Sequence, residues 1–324
     1  MEPTTVHPLI DAAPETDSLY SDVLNGLQRA QKEVPSKYLY DARGSRLFDA
    51  ICELDEYYPT RTEMAIMQEC IGDMAHVIGP TVQLVEFGSG SSLKTRILLD
   101  HLDDLASYVP VDISRDHLVE AADALAEAYP HVPIQPVCAD YTADLPLPPV
   151  PSGTRRVVYY PGSTIGNFQP EAATAFLARI ADCVRPGGGL LIGVDLRKSP
   201  DRLRAAYNDS KGVTAAFNKN LLRRINRELD ADFDLSAFRH EARWNDAARC
   251  IEMHLVSTKP QQVHIDGHAF AFDDGESIRT EYSYKYTLND FASRAAAAGW
   301  TIDTVWTDDA GLFSVQYASV HDDA

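Results

Sequence analysis

No apolar run in this 324-residue chain reaches the length needed to span a bilayer. Nor do any two cysteines stand in a CxxC pair, since Cys52, Cys70, Cys138, Cys183 and Cys250 are scattered. Zinc and thiol-redox motifs therefore have no support, no metal is expected, and a reducing cytoplasm is the expected home. Positive charge is also scarce: 29 Lys and Arg stand against 48 Asp and Glu, a formal net charge of −19. That balance argues against nucleic acid and against anionic membrane as partners, and leaves a small molecule. The opening MEPTTVHPLIDAAPETD carries early acids and no basic region before an apolar run, so a signal peptide is not expected. There is no internal repeat, and PLPPVPSG is the one loose, proline-rich stretch.

What is present is an alternation of strands and helices from about residue 60. TVQLVEFG, SYVPVDIS, IQPVCADY, RRVVYYPGS and LLIGVDL read as strands, separated by helical stretches such as DHLVEAADALAEAYP and PEAATAFLARIADCVRPGG. Continuous apolar strands between amphipathic helices mean a parallel sheet covered on both faces. After Asp195 the pattern changes to two helical stretches, then to strands with period-two alternation: RCIEMHLVST, QQVHIDGHAFAF and RTEYSYKYT. LNDFASRAAAAGW then leads into TIDTVWTD and LFSVQYAS, two strands around a DAG turn that suits an antiparallel hairpin. Residues 61–197 and 286–324 are thus expected to form one domain. Residues 1–60 and 198–285 are expected to form a second lobe, with ligands favouring the cleft between the two.

The sheet's first strand runs into VEFGSGSSLKTR, a glycine turn opening a helix. Such a corner lets backbone approach a cofactor closely. A dinucleotide corner wants glycine or alanine at the sixth position, which here is Leu93. Around the turn (Gly88, Ser89, Gly90) acids mark the strand ends. Glu86 precedes the first glycine, Asp112 is placed to take ribose hydroxyls, and Asp140 to take an adenine amine. Acids at the carboxyl ends of the strands, with a closing hairpin, favour S-adenosylmethionine over a nicotinamide dinucleotide. A methyltransferase is therefore expected ahead of an NAD-dependent oxidoreductase. The expected fold is α/β: a Rossmann-like class I methyltransferase sheet with a C-terminal antiparallel hairpin, plus a second, substrate-binding α+β lobe.

Two further stretches carry chemistry. In YYPGSTIGNF, Gly162 permits close backbone approach and Asn167 offers an amide, though a turn or cap role is the commoner fate of such an Asn. In RTEYSYKYT, Glu281, Ser283 and Lys285 share one face, where a carboxylate and a hydroxyl can grip one polar ring. An exposed polar sheet face is the plainer alternative.

YLYDARGSRLFDAICELDEYYPTRTE, VEFGSGSSLKTR, PGSTIGNF, AYNDSKGVTAAFNKNLLRRINREL and TEYSYKYT together, in this order, resemble the histidine Nα-methyltransferases of ergothioneine biosynthesis. The likeness runs from about residue 20 to the end. It implies three methylations of L-histidine, giving trimethylhistidine (hercynine), with the sulfoxide-synthase step of fungal relatives absent. The resemblance implies cofactor contacts at Gly88, Lys94, Asp112, Asp140, Tyr141 and Gly162. It implies substrate contacts at Tyr40, Tyr57, Asn167, Tyr207, Met253, Glu281 and Ser283. Asn167 and Tyr207 would hold the carboxylate, Glu281 and Ser283 the imidazole, and Tyr57 would lie near that ring. No dedicated base is evident; Tyr40 and ordered water are candidates. Another amino acid, such as tryptophan, is the rival substrate within the fold. A monomer is expected.

Overall fold

The computed structural model describes residues 8–12, 16–90, 92–143, 145–184 and 187–320. Part of the segment read for a signal peptide, and Ser91 of the glycine turn, lie outside them. In chain order the elements begin β1 (Ile10–Ala12), α1 (Thr16–Leu27), β2 (Lys32–Glu33), α2 (Ala42–Cys52), α3 (Tyr58–Ile78), β3 (Val82–Phe87) and α4 (Leu93–Leu99). Next come β4 (Leu105–Asp112), α5 (Arg115–Ala128), β5 (Val137–Ala139), β6 (Arg155–Tyr160), α6 (Pro170–Val184) and β7 (Gly189–Asp195). They continue with α7 (Pro200–Ala206), α8 (Val213–Leu229), β8 (Phe238–Asn245), β9 (Cys250–Ser257), β10 (Gln261–Ile265) and β11 (His268–Phe272). The last are β12 (Ser277–Tyr284), α9 (Leu288–Ala297), β13 (Trp300–Thr307) and β14 (Phe313–Val320).

The chain divides into two compact units. The first holds the described residues of 8–12, 59–197 and 285–320, and is built on an eight-stranded sheet of order β1-β5-β4-β3-β6-β7-β14-β13. Neighbours from β1 to β7 run parallel, and β14 and β13 close the sheet antiparallel. This is the class I methyltransferase sheet with its C-terminal hairpin. Every residue of β3 is buried, as a strand covered on both faces requires. α6 buries Ala173, Phe176, Leu177, Ile180, Ala181 and Val184, one stripe at helical spacing. Burying a large apolar side chain of this kind contributes about 1.5–3 kcal/mol. α9 starts on a capping box, in which Thr287 Oγ1 accepts from Asp290 N and the Asp290 carboxylate accepts from Thr287 N.

The second unit holds the described residues of 16–58 and 198–284. Its four-stranded sheet has the order β2-β12-β9-β8. α2 packs against α8, and β2 runs parallel to β12. α8 turns Phe217, Leu221, Leu222, Ile225 and Leu229 inward. Among the described residues no helix is long and apolar enough to cross a membrane.

The structure departs from the sequence expectations in four places. Ile10–Ala12 was assigned with residues 1–60 to the second lobe, but it pairs with Val137–Ala139 at the edge of the large sheet. Three residues are too few to show a period. QQVHIDGHAFAF is a hairpin, not one strand: Asp266 and Gly267 take positive φ of 44° and 78°, the backbone of a tight primed turn. β8 escaped notice because its charged residues, FRHEARWN, are mostly half-buried. The boundary drawn at residue 60 falls inside α3, which tolerates Pro59 in its first turn, where no intrahelical N–H bond is lost.

Candidate active site

The first unit gathers its chemistry at the carboxyl ends of β3, β4, β5 and β6. Gly88 has φ of +72°, and a Cβ there would meet nothing within 4 Å, so backbone conformation rather than crowding selects glycine. Gly90 N donates to Asp112 Oδ2 at 3.2 Å and Ser114 N to Oδ1 at 2.9 Å. Burial nonetheless raises the Asp112 pKa, with these backbone bonds opposing the rise. Ser89 Oγ is buried and finds no hydrogen-bond partner among the described residues. A polar atom left so is expected where a ligand completes the site. Ser89, Asp112 and the open space over Gly88 therefore fit an adenosine-bearing cofactor.

Asp140 accepts from Thr142 N at 2.9 Å and Thr142 Oγ1 at 2.5 Å, so its carboxylate is oriented by a local turn. The next ring, Tyr141, stacks on Phe87 at 5.4 Å with 7° between planes. Tyr160 and Phe176 close around it. An apolar recess lined by Phe87, Tyr141, Leu145, Leu147, Phe176 and Ile180 lies beside this stack. Gly162 has φ of +76°, and Ser163 beside it is left-handed as well at +58°. Ser163 Oγ accepts from Asp195 N at 2.8 Å, pinning the loop that carries the half-buried Asn167.

Glu86, which the sequence placed with the cofactor turn, hydrogen-bonds through one oxygen to α4 and β4. Its Oε2 accepts from Thr95 Oγ1 at 2.5 Å and Tyr108 OH at 2.7 Å, bracing α4 against β3 and β4. Burial pushes its pKa up to about 7, against the pull of both hydroxyls. The acid that reaches the turn's lysine is Glu63 of α3, which the sequence reading passed over. Glu63 Oε2 lies 2.5 Å from Lys94 Nζ, and both its oxygens accept from Gly162 N at 3.1 and 2.9 Å. A lone Glu at a helical position carries no signal for that role.

The second unit carries an aromatic and polar cluster. Tyr40 meets Phe48 and Phe217 edge-on at 5.5 and 5.4 Å, and Tyr57 lies 6.2 Å from Phe48 and 6.1 Å from Tyr207. Burial holds the Tyr57 phenol well above its ordinary pKa, so it stays neutral. On β12, Glu281 and Ser283 are buried, which removes the exposed-face alternative. Glu281 pairs in register with Met253 of β9, directly after a bulge at Thr280. Cross-strand partners share a face, so Met253 and Glu281 stand side by side.

Tyr207 OH and Ser283 Oγ are hydrogen-bonded to each other at 2.6 Å. The resemblance assigned these two hydroxyls to opposite ends of the substrate, whereas the structure joins them directly. Tyr207 is fixed from several sides. Asp209 caps α8 through Val213 N and Thr214 N, and Glu56 holds Ser210 N and Oγ. His240 Nε2 lies 2.8 Å from Tyr207 O, with Nδ1 at 2.9 Å from Asn218 Nδ2. Asn218 Oδ1 accepts from Thr280 Oγ1 at 2.6 Å, at the bulge before Glu281. His240 and Asn218 were not singled out in the sequence, and no spacing marks them. Neither unit gathers three or more His, Cys, Asp or Glu in a metal-holding group among the described residues.

The sequence model of the S-adenosylmethionine-dependent, histidine-specific methyltransferases matches residues 19–320. The chain belongs to this family. The histidine N-alpha-methyltransferase of Mycobacterium tuberculosis (strain CDC 1551 / Oshkosh) is 43% identical over 307 residues, 93% of this chain and 95% of that protein. The enzyme of the same description from Mycolicibacterium smegmatis is 43% identical over 313 residues, 95% of this chain and 96% of that one. Ergothioneine biosynthesis protein 1 of Neurospora crassa is 34% identical over 200 residues, 60% of this chain and 23% of that protein.

Proposed function

We propose that this chain transfers methyl groups from S-adenosylmethionine to the α-nitrogen of L-histidine, in three rounds, giving trimethylhistidine (hercynine) for ergothioneine biosynthesis. The observation that carries the substrate is the buried face of β12. A carboxylate and a hydroxyl two residues apart, walled by tyrosine, match an imidazole with its two ring nitrogens. The near full-length likeness to two histidine N-alpha-methyltransferases supports the choice of nitrogen. The fungal relative supports the pathway.

In this reading Asp112 takes the ribose hydroxyls, Asp140 and Tyr141 flank the adenine, and Gly88, Ser89, Gly90, Lys94 and Gly162 receive the methionyl end. Glu86 acts behind them by bracing α4. When bound, S-adenosylmethionine supplies a methyl group already activated on a sulfonium, so the chain need provide no nucleophile. Its residues contribute position: Glu281 and Ser283 orient the imidazole, while Asn167 and the Tyr207 hydroxyl hold the carboxylate. Substrate binding exchanges the Tyr207–Ser283 bond for one contact at each end of the amino acid. The α-ammonium must lose a proton before it can attack; neutral Tyr57 does not take it, which leaves Tyr40 or water. The rings of Tyr40 and Tyr57 stabilise the growing cationic nitrogen through their faces.

Comparing kcat/KM for histidine and tryptophan tests this reading. A site that sets a carboxylate and a hydroxyl two residues apart suits the two nitrogens of an imidazole, whereas indole offers one N–H on a larger ring, and it should favour histidine by at least about 100-fold. Equal use of the two, or a preference for tryptophan, would contradict it.

A further inference from the structure

Glu63 is fully buried, yet the assignment of donor and acceptor contacts leaves it no part. It sits in α3, outside the glycine turn and outside the strand-end acids. Its carboxylate joins two separate pieces of the cofactor edge: Lys94 Nζ at 2.5 Å and the backbone N–H of Gly162 at 2.9 Å. The fold is shaped around it. A Cβ on Gly193 of β7 would collide with Glu63 Oε1, and a Cβ on Gly162 would lie 3.5 Å from Lys94 Nζ. Lys94 itself is largely buried, with 16% of its side chain exposed against 0% for Glu63. A charge this poorly solvated needs a partner. The other acid close by, Glu86, has Oε2 committed to Thr95 and Tyr108, and no ion pair joins it to Lys94 among the described residues.

We propose that Glu63 is a positioning residue that also serves as counter-charge: it holds Lys94 for the methionyl carboxylate and cancels its charge toward the donor's sulfonium. The inference rests on S-adenosylmethionine being the donor. An unpaired ammonium beside the turn attracts the carboxylate of donor and product alike, but repels only the donor, because the demethylated product is an uncharged thioether. Glu63 therefore sets how well the protein tells S-adenosylmethionine from S-adenosylhomocysteine. Like charges a few ångströms apart in a poorly solvated site interact strongly enough to shift binding about tenfold.

Calorimetric titration of the full chain with each ligand tests this. Glu63→Gln keeps the shape and an acceptor for Gly162 N but removes the charge. It should weaken S-adenosylmethionine at least tenfold and S-adenosylhomocysteine about threefold or less. Adding Lys94→Met to Glu63→Gln should return the ratio of the two affinities toward that of the wild type. Should Glu63→Gln fail to fold, Lys94→Met alone carries the test, since it must weaken S-adenosylhomocysteine more than the donor. An unchanged ratio in whichever single variant folds would overturn the proposal, because a merely structural defect weakens both ligands alike. A wild-type protein that binds neither ligand would instead overturn the donor assignment. One that binds both but methylates another amine would leave the role of Glu63 standing.

Discussion

Glu281 has Met253 as its cross-strand neighbour on a buried face, and in the proposed site the two together set which ring is admitted. In the proposed site, removing this carboxylate leaves the imidazole N–H of bound histidine desolvated without its acceptor, at a cost of about 2 kcal/mol. Glu281→Ala is expected to lower kcat/KM for histidine roughly 30-fold. Combined with Met253→Ala, it should let larger rings such as indole be methylated. Full histidine kinetics in that double variant would contradict the substrate assignment. In the same reading, Asp112 is the corresponding residue for the donor. Asp112→Ala should abolish calorimetric binding of S-adenosylmethionine, and unchanged affinity would remove its ribose role. The sequence singles these residues out because each terminates or lines a strand with a recognisable period. Glu63, His240 and Asn218 are not singled out, because what matters about them is their partners across the fold.

At the level of elements, hydrogen-bonded frames hold the polar side chains of the candidate site. Thr280, Asn218 and His240 link β12, α8 and β8 to the end of α7, where Tyr207 sits. Burial lowers the His240 pKa below its ordinary 6.5. The unfolded chain therefore takes up this proton at a higher pH than the folded one, so the stability contribution is full above pH 6.5 and falls below it. His240→Gln keeps a donor toward Tyr207 O without titrating in this range. Its melting temperature relative to wild type should rise as pH drops from 7.5 to 5.5, and a constant difference would remove His240 from the account.

Glu86 works in the opposite sense. Its folded pKa is raised from 4.5 to about 7, so its contribution is lost as pH rises through that window. Glu86→Gln should accordingly gain stability relative to wild type at pH 8 compared with pH 4.5, read as the difference in denaturant midpoint. The parallel strands and α6 were readable from their apolar patterns. The β10–β11 hairpin was hidden in a continuous alternation, and only its Asp-Gly pair marks the turn.

Across the whole molecule, a sheet of fixed order is interrupted in sequence by a segment that builds a second unit with part of the N-terminal chain. The change from continuous apolar strands to alternating ones after Asp195 made that interruption legible. The edge strand Ile10–Ala12 was not legible, because pairing with β5, rather than its own three residues, defines it. A chain with a formal charge of −19 and a buried polar cluster suits a small zwitterionic substrate better than a polyanion. The most direct test of this account is the site of methylation. Histidine incubated with the full chain and isotopically methyl-labelled S-adenosylmethionine, then read by NMR and mass spectrometry, should carry up to three labelled methyl groups, all on the α-nitrogen. Label on a ring nitrogen, or no label in histidine at all, would contradict it.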